Sequence, residues 1–559
     1  MRFIPTTTGG PSFLARGSVP GPSRRPSRRA GVLAAGTLAV ALVAGCSTST
    51  PSSGDAEGSD GIVIGVGQEP DSLNPLLGYS KDGGSKVFDG LLAHDADLTL
   101  VPALARALPE VSADGLTYTY RLRDGVTFSD GKPLTSADVA FTYRTVLDPT
   151  VDTTVRSDLA ALARVDAPDA GTVVFTLKYP YAPFPQRTVL GIVPEHVLGS
   201  VEGSALTTDA FNRAPIGSGP YTVDTWRSGE KLVLKANPKY WGGEPAVKQV
   251  TFAFITDDNT RATRMAAGDL DAAALPPKLA ERFENDKDRT TYKLDTADYR
   301  GVMLPTGNPV TGDLAIRKAL DLAVDRDAMV RGILNGDGAA AFGPIAPSSP
   351  LYVRALAHAA DPTAAGKLLD EAGWTKGAGG IRAKDGKAAK FTLLYPSGDA
   401  LRKDLALAYV SDAKKIGIDI SLEGLTWDAI EPRMKADALL MGQGAPYDPD
   451  FVSYETFHSS LAGQAFNNPG YYRNAKVDAL LDEGRRTRDD APRARVYGDL
   501  QRELAADPAW TFLAYLQHVY VVDDDWNGIG AQVEPHPHDL VGPWWNIETW
   551  TPKASTATS

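Results

Sequence analysis

Asp523, Asp525, Asn527, Gly528 and Glu534 repeat the spacing of an EF-hand loop, in which oxygen donors surround a hard cation. That loop needs a helix on each side. Here the β-rich Val519–Val522 precedes it and Pro535 and Pro537 follow, so the stretch reads as a hydrophilic turn after a strand. His536 and His538 stand two apart, a spacing that suits a metal ion, and read as exposed loop residues. Cys46 is the only cysteine, which excludes an intrachain disulfide and a site of several thiolates. No Gly-x-Ser-x-Gly elbow and no His-Glu-x-x-His pair is present, so a secreted hydrolase lacks its usual signatures. Gly65-Val66-Gly67 opens like a dinucleotide loop, but Pro70 stands where its third glycine belongs. What remains is Gly444–Asp450, "GAPYDPD", where two prolines and a glycine make a loop carrying a phenol and two carboxylates.

The rest of the chain must position that loop. A length of 559 residues implies two or three domains. With 43% hydrophobic and 23% charged residues, the bulk of the chain is a soluble globular protein. Losing the six arginines of residues 1–45 would take the formal charge from −12 to −18, a surface that repels nucleic acid.

The amino end reads as an address. Arg24, Arg25, Arg28 and Arg29 precede the 15-residue, mostly apolar run Ala30–Ala44. That run is shorter than the ~20 residues a spanning helix needs, but it suits the core of a signal peptide. It ends Val43-Ala44-Gly45-Cys46, similar to a bacterial lipobox, in which small residues admit a signal peptidase and the cysteine thiol then takes a diacylglycerol. With the freed amine acylated as well, two or more chains would hold the protein on a membrane. The export route, general or twin-arginine, stays open. Residues 47–60 are rich in Ser, Thr and Gly and read as a flexible tether.

Beyond the tether, short strands and helices alternate. Ile62–Val66 is a strand. Thr117–Arg121 and Val126–Phe128 read as two strands around Asp124-Gly125, and a helix opens near Thr135 with Ser136 and Asp138 at its start. Thr172–Leu177, Leu232–Leu234, Val250–Phe254, Phe391–Tyr395 and Ile418–Leu422 read as strands, and Trp510–Val522 as a long apolar one. Helices fall at Arg261–Asp271, around Ile316–Val324, at Lys367–Trp374, Lys403–Lys415 and Val477–Leu504.

The wording of these segments resembles one family. Asp114, Gly115, Tyr118, Leu122, Arg123, Gly125, Phe128, Asp130, Gly131, Leu134, Asp138, Val139 and Phe141 fill the signature of the solute-binding proteins of ABC importers in the oligopeptide/dipeptide/nickel family. "QEPDSLNP" at 68–75, "KVFDGLL" at 86–92 (a short helix in that family), "APIGSGPY" at 214–221, "NPKYWGG" at 237–243 and "LAIRKALDLAVDRDAMV" at 314–330 follow in the family's order. Arg317 and Asp325 would fix the last of these to its neighbours, and Trp241 would pack a core. The resemblance spans roughly residues 61–550. It implies an α/β, two-lobed periplasmic-binding-protein-like fold of the large class, with an extra subdomain and the ligand cleft between lobes. The implied parts are a signal peptide, 1–45; a tether, 46–60; lobe I from 61–95, 214–303 and 519–552; its subdomain, 96–213; and lobe II, 304–518.

The resemblance also implies a site. Peptide-binding members set an acid in the 444–450 loop for the ligand's amino terminus, a role for Asp448 or Asp450, because a buried ammonium needs a counter-ion. One common form of the pattern has that acid directly before the aromatic, where this chain has Pro446. The nickel-binding branch uses a loop tyrosine, here Tyr447, a tryptophan whose slot holds Gln443, a later histidine near His458, and arginines near Arg187 or Arg156. Imidazole with a chelator's carboxylates would suit Ni(II). The implied function is a lipid-anchored receptor on the outer face of the cell membrane, a monomer without cofactor or catalysis. It would pass short peptides to an ABC permease and its ATPase. A nickel–chelator complex, or another small solute such as an opine, is the alternative cargo.

Overall fold

The computed structural model describes residues 61–464, 466–536, 540 and 542–553, all in the compact unit that begins at Gly58. The expected signal peptide, Cys46, the tether and His538 lie outside the described residues.

Two long strands carry the architecture. Arg289–Met303 and Trp510–Asp523 run antiparallel to each other. At one end, 289–295 pairs with 517–523, and Ala272–Leu275 lies on the far side of 519–522. At the other, 299–303 pairs with 510–515, and Ala438–Gln443 lies beside 299–303. Between these halves the register breaks, from Asp295 to Tyr299. Such an irregularity bends the ribbon and raises its twist. Trp510–Asp523 is buried along nearly its whole length, as its unbroken apolar run requires of a strand covered on both faces.

Each half extends into its own sheet and core. On one side the order continues through Gly61–Val66, Gln249–Phe254, Lys231–Ala236 and Tyr221–Arg227; on the other through Lys390–Pro396 and Asp419–Leu425. The first core joins Ile62, Ile64, Leu232 and Phe252 to Trp544 and Trp550, and reaches a separate four-stranded sheet built from residues 110–177. The second packs Ile316, Leu320, Leu405 and Tyr409 on Leu393 and Leu440. The molecule is thus α/β and two-lobed, with the long strands as the connection.

Strand direction sets the place of the cleft. Ala438–Gln443 runs parallel to Lys390–Pro396 and ends opposite Tyr299; Ala272–Leu275 runs parallel to Gly61–Val66 and ends opposite Val519. Both parallel sets therefore point their carboxyl ends at the register break. Ligands of open α/β sheets bind beyond such ends.

The signature helix forms as read. Ser136–Leu147 starts with a capping box, Thr135 with Asp138. Three local readings fail. Val126–Phe128 is no strand; it contributes one bridge, Thr127 to Pro133. Lys86–Leu92 forms no helix, because its carbonyls at Lys86 and Val87 accept from Tyr221 and Gly219, and the Leu91 amide donates to Thr188. Gly217 and Gly219 permit that approach, since a Cβ on either would collide with the backbone of Val87. Val477–Leu504 is two helices, Ala475–Arg486 and Asp490–Ala506. No helix among the described residues is long and apolar enough to cross a membrane.

Candidate functional site

The loop after Ala438–Gln443 leaves the strand at the register break. Gly444 packs so closely on the Ala297 carbonyl that a side chain there would collide with it, and its own carbonyl accepts from the His536 amide at 2.8 Å. The loop is thereby pinned to the crossing of the long strands. Gln443, expected as a ligand contact, accepts from the Thr456 hydroxyl at 2.8 Å. Tyr447 reaches across to the first lobe and stacks on His94, ring centroids 4.4 Å apart and 21° from parallel. His94 Nε2 donates to Gln186 Oε1 at 2.5 Å, and burial lowers its pKa, so the ring faces Tyr447 as a neutral imidazole near pH 7.

The two loop carboxylates have other work. Asp448 caps the helix Pro449–Phe457, accepting from the Asp450 amide at 2.9 Å, and takes both nitrogens of the Arg493 fork at 2.7 and 2.9 Å. Asp450 receives Arg485 at 2.9 and 3.1 Å and the Tyr181 hydroxyl at 2.9 Å. Both are buried, and each charge is already met by an arginine. A ligand ammonium would have to displace a bidentate partner, which disfavours the amine-binding role expected of either.

Arg187, expected as a ligand contact, is also committed. It pairs with Asp82 at 3.1 Å and Asp158 at 3.3 Å, and its guanidinium lies 3.3 Å from the centre of the Phe451 ring. Arg156 donates to the main-chain carbonyls of Val146, Asp148 and Val151 and serves the end of the signature helix. His458, the alternative metal ligand, stacks on Tyr454 at 4.3 Å, accepts from the Ser460 amide at 3.2 Å and lies 3.8 Å from Asp482.

The calcium-like spacing does not assemble. Asp523 pairs with Arg289, and the Asp525 carbonyl accepts from the Lys553 amide at 2.7 Å, while Glu534 turns into the strand crossing to meet His518 at 2.7 Å and Tyr520 at 2.6 Å. His536, read as an exposed loop residue, instead hydrogen-bonds Asp298 at 2.6 Å. These groups form one buried ionic cluster at the register break. Arg300 pairs with Asp298, and His518 bridges Asp298 and Glu534.

Sequence reasoning missed His94, and it missed Asp82 and Asp158, the partners of Arg187. They lie far along the chain from Tyr447 and Arg187, which they meet, and no spacing marks them; His94 alone stands in a strand, Leu92–His94, beside a family-like phrase.

Residues 99–464 match the family model of the bacterial extracellular solute-binding proteins, family 5, middle region. The chain is 54% identical to Protein XP55 of Streptomyces lividans, over 92% of this chain and 94% of that protein. Its structure is similar to NikZ from Campylobacter jejuni in complex with Ni(L-His), with a TM-score of 0.80 and 31% identity, covering 88% of this chain and 99% of that one. It is similar also to the oligopeptide-binding protein AppA from Bacillus subtilis in complex with a nonapeptide, with a TM-score of 0.76, 30% identity and the same coverage.

Proposed function

Because the chain belongs to family 5 of the bacterial extracellular solute-binding proteins, we propose that it captures short peptides outside the cytoplasm and delivers them to the permease of an ABC importer. The observation that carries this reading is the meeting of two lobes at the ends of their parallel strands. There the Gly444–Tyr447 loop of one lobe faces His94 and Gln186 of the other. Closing around a solute needs two rigid walls and a connection that bends, and the broken register of the two long strands supplies the latter. The receptor itself does no chemistry; the importer's ATPase supplies the energy.

In this reading Tyr447, His94 and Gln443 line the ligand, while Asp448, Asp450 and Arg187 hold the walls in register. Lobe I comprises 61–95, 214–303 and 519–552, its subdomain 96–213, and lobe II 304–518. Residues 1–45 are cleaved, Cys46 carries the lipid, and the protein works as a monomer on the outer face of the membrane.

Nickel carried by an organic chelator is the second reading. It is favoured by the likeness to a structure holding Ni(L-His) and by an imidazole, His94, against the loop tyrosine. Among the described residues no group of three His, Cys, Asp or Glu side chains is placed to hold a metal ion, so the metal would have to arrive with its own ligands.

Native mass spectrometry of the purified protein tests both. Bound masses of short peptides, displaced by added peptide, support the first reading. A mass that requires nickel and histidine together, and is lost in His94→Ala, supports the second. A protein that binds neither overturns both.

A further inference from the structure

One short stretch of chain is tied to both walls of the cleft and to the strand crossing between them. It starts in the first lobe, where the Gly528 and Gly530 carbonyls accept from the Asn546 amide at 2.8 Å and the Trp545 indole at 3.0 Å. Three alternate residues then make three ties. Gln532 Nε2 donates to the Asp95 carbonyl at 2.7 Å, one residue beyond His94. Glu534 bridges in parallel to Thr296: its amide donates to the Asp295 carbonyl at 3.0 Å, and its carbonyl accepts from the Ala297 amide at 2.8 Å. The His536 amide donates to the Gly444 carbonyl at 2.8 Å, three residues before Tyr447. The His536 ring is itself anchored: a carboxylate only accepts, so Nδ1–H donates to Asp298 at 2.6 Å.

Both tied points are stiff. The Asp95 carboxylate closes the turn after Leu92–His94 by accepting from the Asp97 and Thr99 amides at 3.0 and 2.9 Å. Gly444 lies so close to the Ala297 carbonyl that no side chain would fit. Between Gln532 and His536 run only four residue steps, at most ~14 Å of fully extended chain. So short a tether limits how far the His94 turn and the Tyr447 loop can part.

We propose that residues 532–536 are a brace that keeps His94 stacked on Tyr447 in the empty receptor, so that the cargo meets a preformed aromatic floor. This deepens the proposed binding cleft and rests on that reading. Gln532 and His536 are positioning residues, acting through Asp95 and Gly444. Their ties lie at the register break, the pivot of the proposed closure, where parting lobes move least. A pair assembled beforehand spares the ligand the cost of ordering it.

The test begins without ligand. In the full chain bearing Cys46→Ser, histidines labelled with 13C at Cε1 give seven signals to sort, and His94→Ala identifies its own. Tyr447→Ala then shows where the His94 signal falls without the facing ring. At about pH 8 burial keeps the His94 imidazole neutral, so a moved signal reports the stack and not a titration. Gln532→Met keeps the length of the side chain but cannot donate, and His536→Ala removes the tie to Asp298. Each should move the His94 signal at least halfway toward its position in Tyr447→Ala. Gln532→Met should do so with an unfolding midpoint close to wild type, which separates positioning from folding. A His94 signal that Tyr447→Ala leaves in place shows that the pair is not preformed and overturns the proposal. So does a folded Gln532→Met protein whose His94 signal matches wild type, a lowered midpoint notwithstanding. Binding is then measured with a pool of short peptides and with nickel plus L-histidine. Whichever probe binds the wild type should bind Gln532→Met about threefold to tenfold more weakly, as loss of one hydrogen bond would give. In a His94→Ala background Gln532→Met should cost nothing further, because the brace acts through that ring. Equal losses in both backgrounds overturn the positioning role. A receptor whose His94 signal responds as expected but which binds neither probe keeps the brace and loses the cargo reading.

Discussion

The Tyr181 hydroxyl donates a 2.9 Å hydrogen bond to the Asp450 carboxylate, joining the first lobe to the first turn of a helix in the second. The same carboxylate holds Arg485 in a fork, and the Arg485 carbonyl accepts from the Ala182 amide at 2.8 Å. One buried aspartate thus links the 444–450 loop to the contact between the two lobes.

Removing that aspartate should cost stability. Asp450→Ala leaves Arg485 buried without its partner, a loss on the order of 3–5 kcal/mol. Tyr181→Phe deletes only one hydrogen bond and should cost about 1 kcal/mol. Urea unfolding of both variants measures the difference. Equal, small losses would show that the Asp450–Arg485 pair is not buried in solution.

Tyr447 and His94 should act on binding and not on stability. Each is only partly buried, and neither anchors a core. Tyr447→Ala or His94→Ala should weaken ligand binding about tenfold or more, as loss of one well-packed aromatic contact does at an interface. The unfolding midpoint should stay close to wild type. Calorimetry with the ligand found by native mass spectrometry checks the first, and thermal unfolding the second.

The crossing of the long strands should make the fold sensitive to alkali. Burial pulls the His518 pKa down, but hydrogen bonds to Asp298 and Glu534 overcome it and push it up to about 9. A histidine raised from its ordinary value of about 6.5 gives stability that is fully present below that value and lost as pH rises through the folded pKa. The wild type should therefore lose up to a few kcal/mol between about pH 6.5 and 9. His518→Gln should start less stable and show a flatter profile. Urea unfolding across that range reads both.

Cys46 should decide where the protein resides. Wild-type chain expressed in its own kind of cell should sediment with membranes and partition into detergent, because two or more acyl chains anchor stably. Cys46→Ser should appear in the soluble exported fraction, with its binding unchanged. Wild-type protein found wholly in the soluble fraction would remove the lipid anchor.

Much of the scaffold was legible because it is local. The capping box of Thr135 and Asp138, the left-handed Gly268 that stops Asp258–Ala267, and the apolar run of Trp510–Asp523 each state their own conformation within a few residues. The order of these phrases, shared with a family, implied two lobes and a cleft. The loop 444–450 was also legible, since its prolines and glycine bar regular structure.

What tertiary structure decided is which charges are free. Sequence shows Asp448, Asp450 and Arg187 only as charged side chains near a loop; their partners Arg493, Arg485 and Asp158 lie 45, 35 and 29 residues away, and nothing local names them. Likewise Lys86–Leu92 resembles a phrase that is a short helix in the family, yet its peptide groups bond to 188, 219 and 221 and form none. Backbone preference is fixed by neighbours in sequence. The pairing of a buried charge is fixed by neighbours in space, because burial makes an unpaired ion costly enough to select its partner from anywhere in the chain.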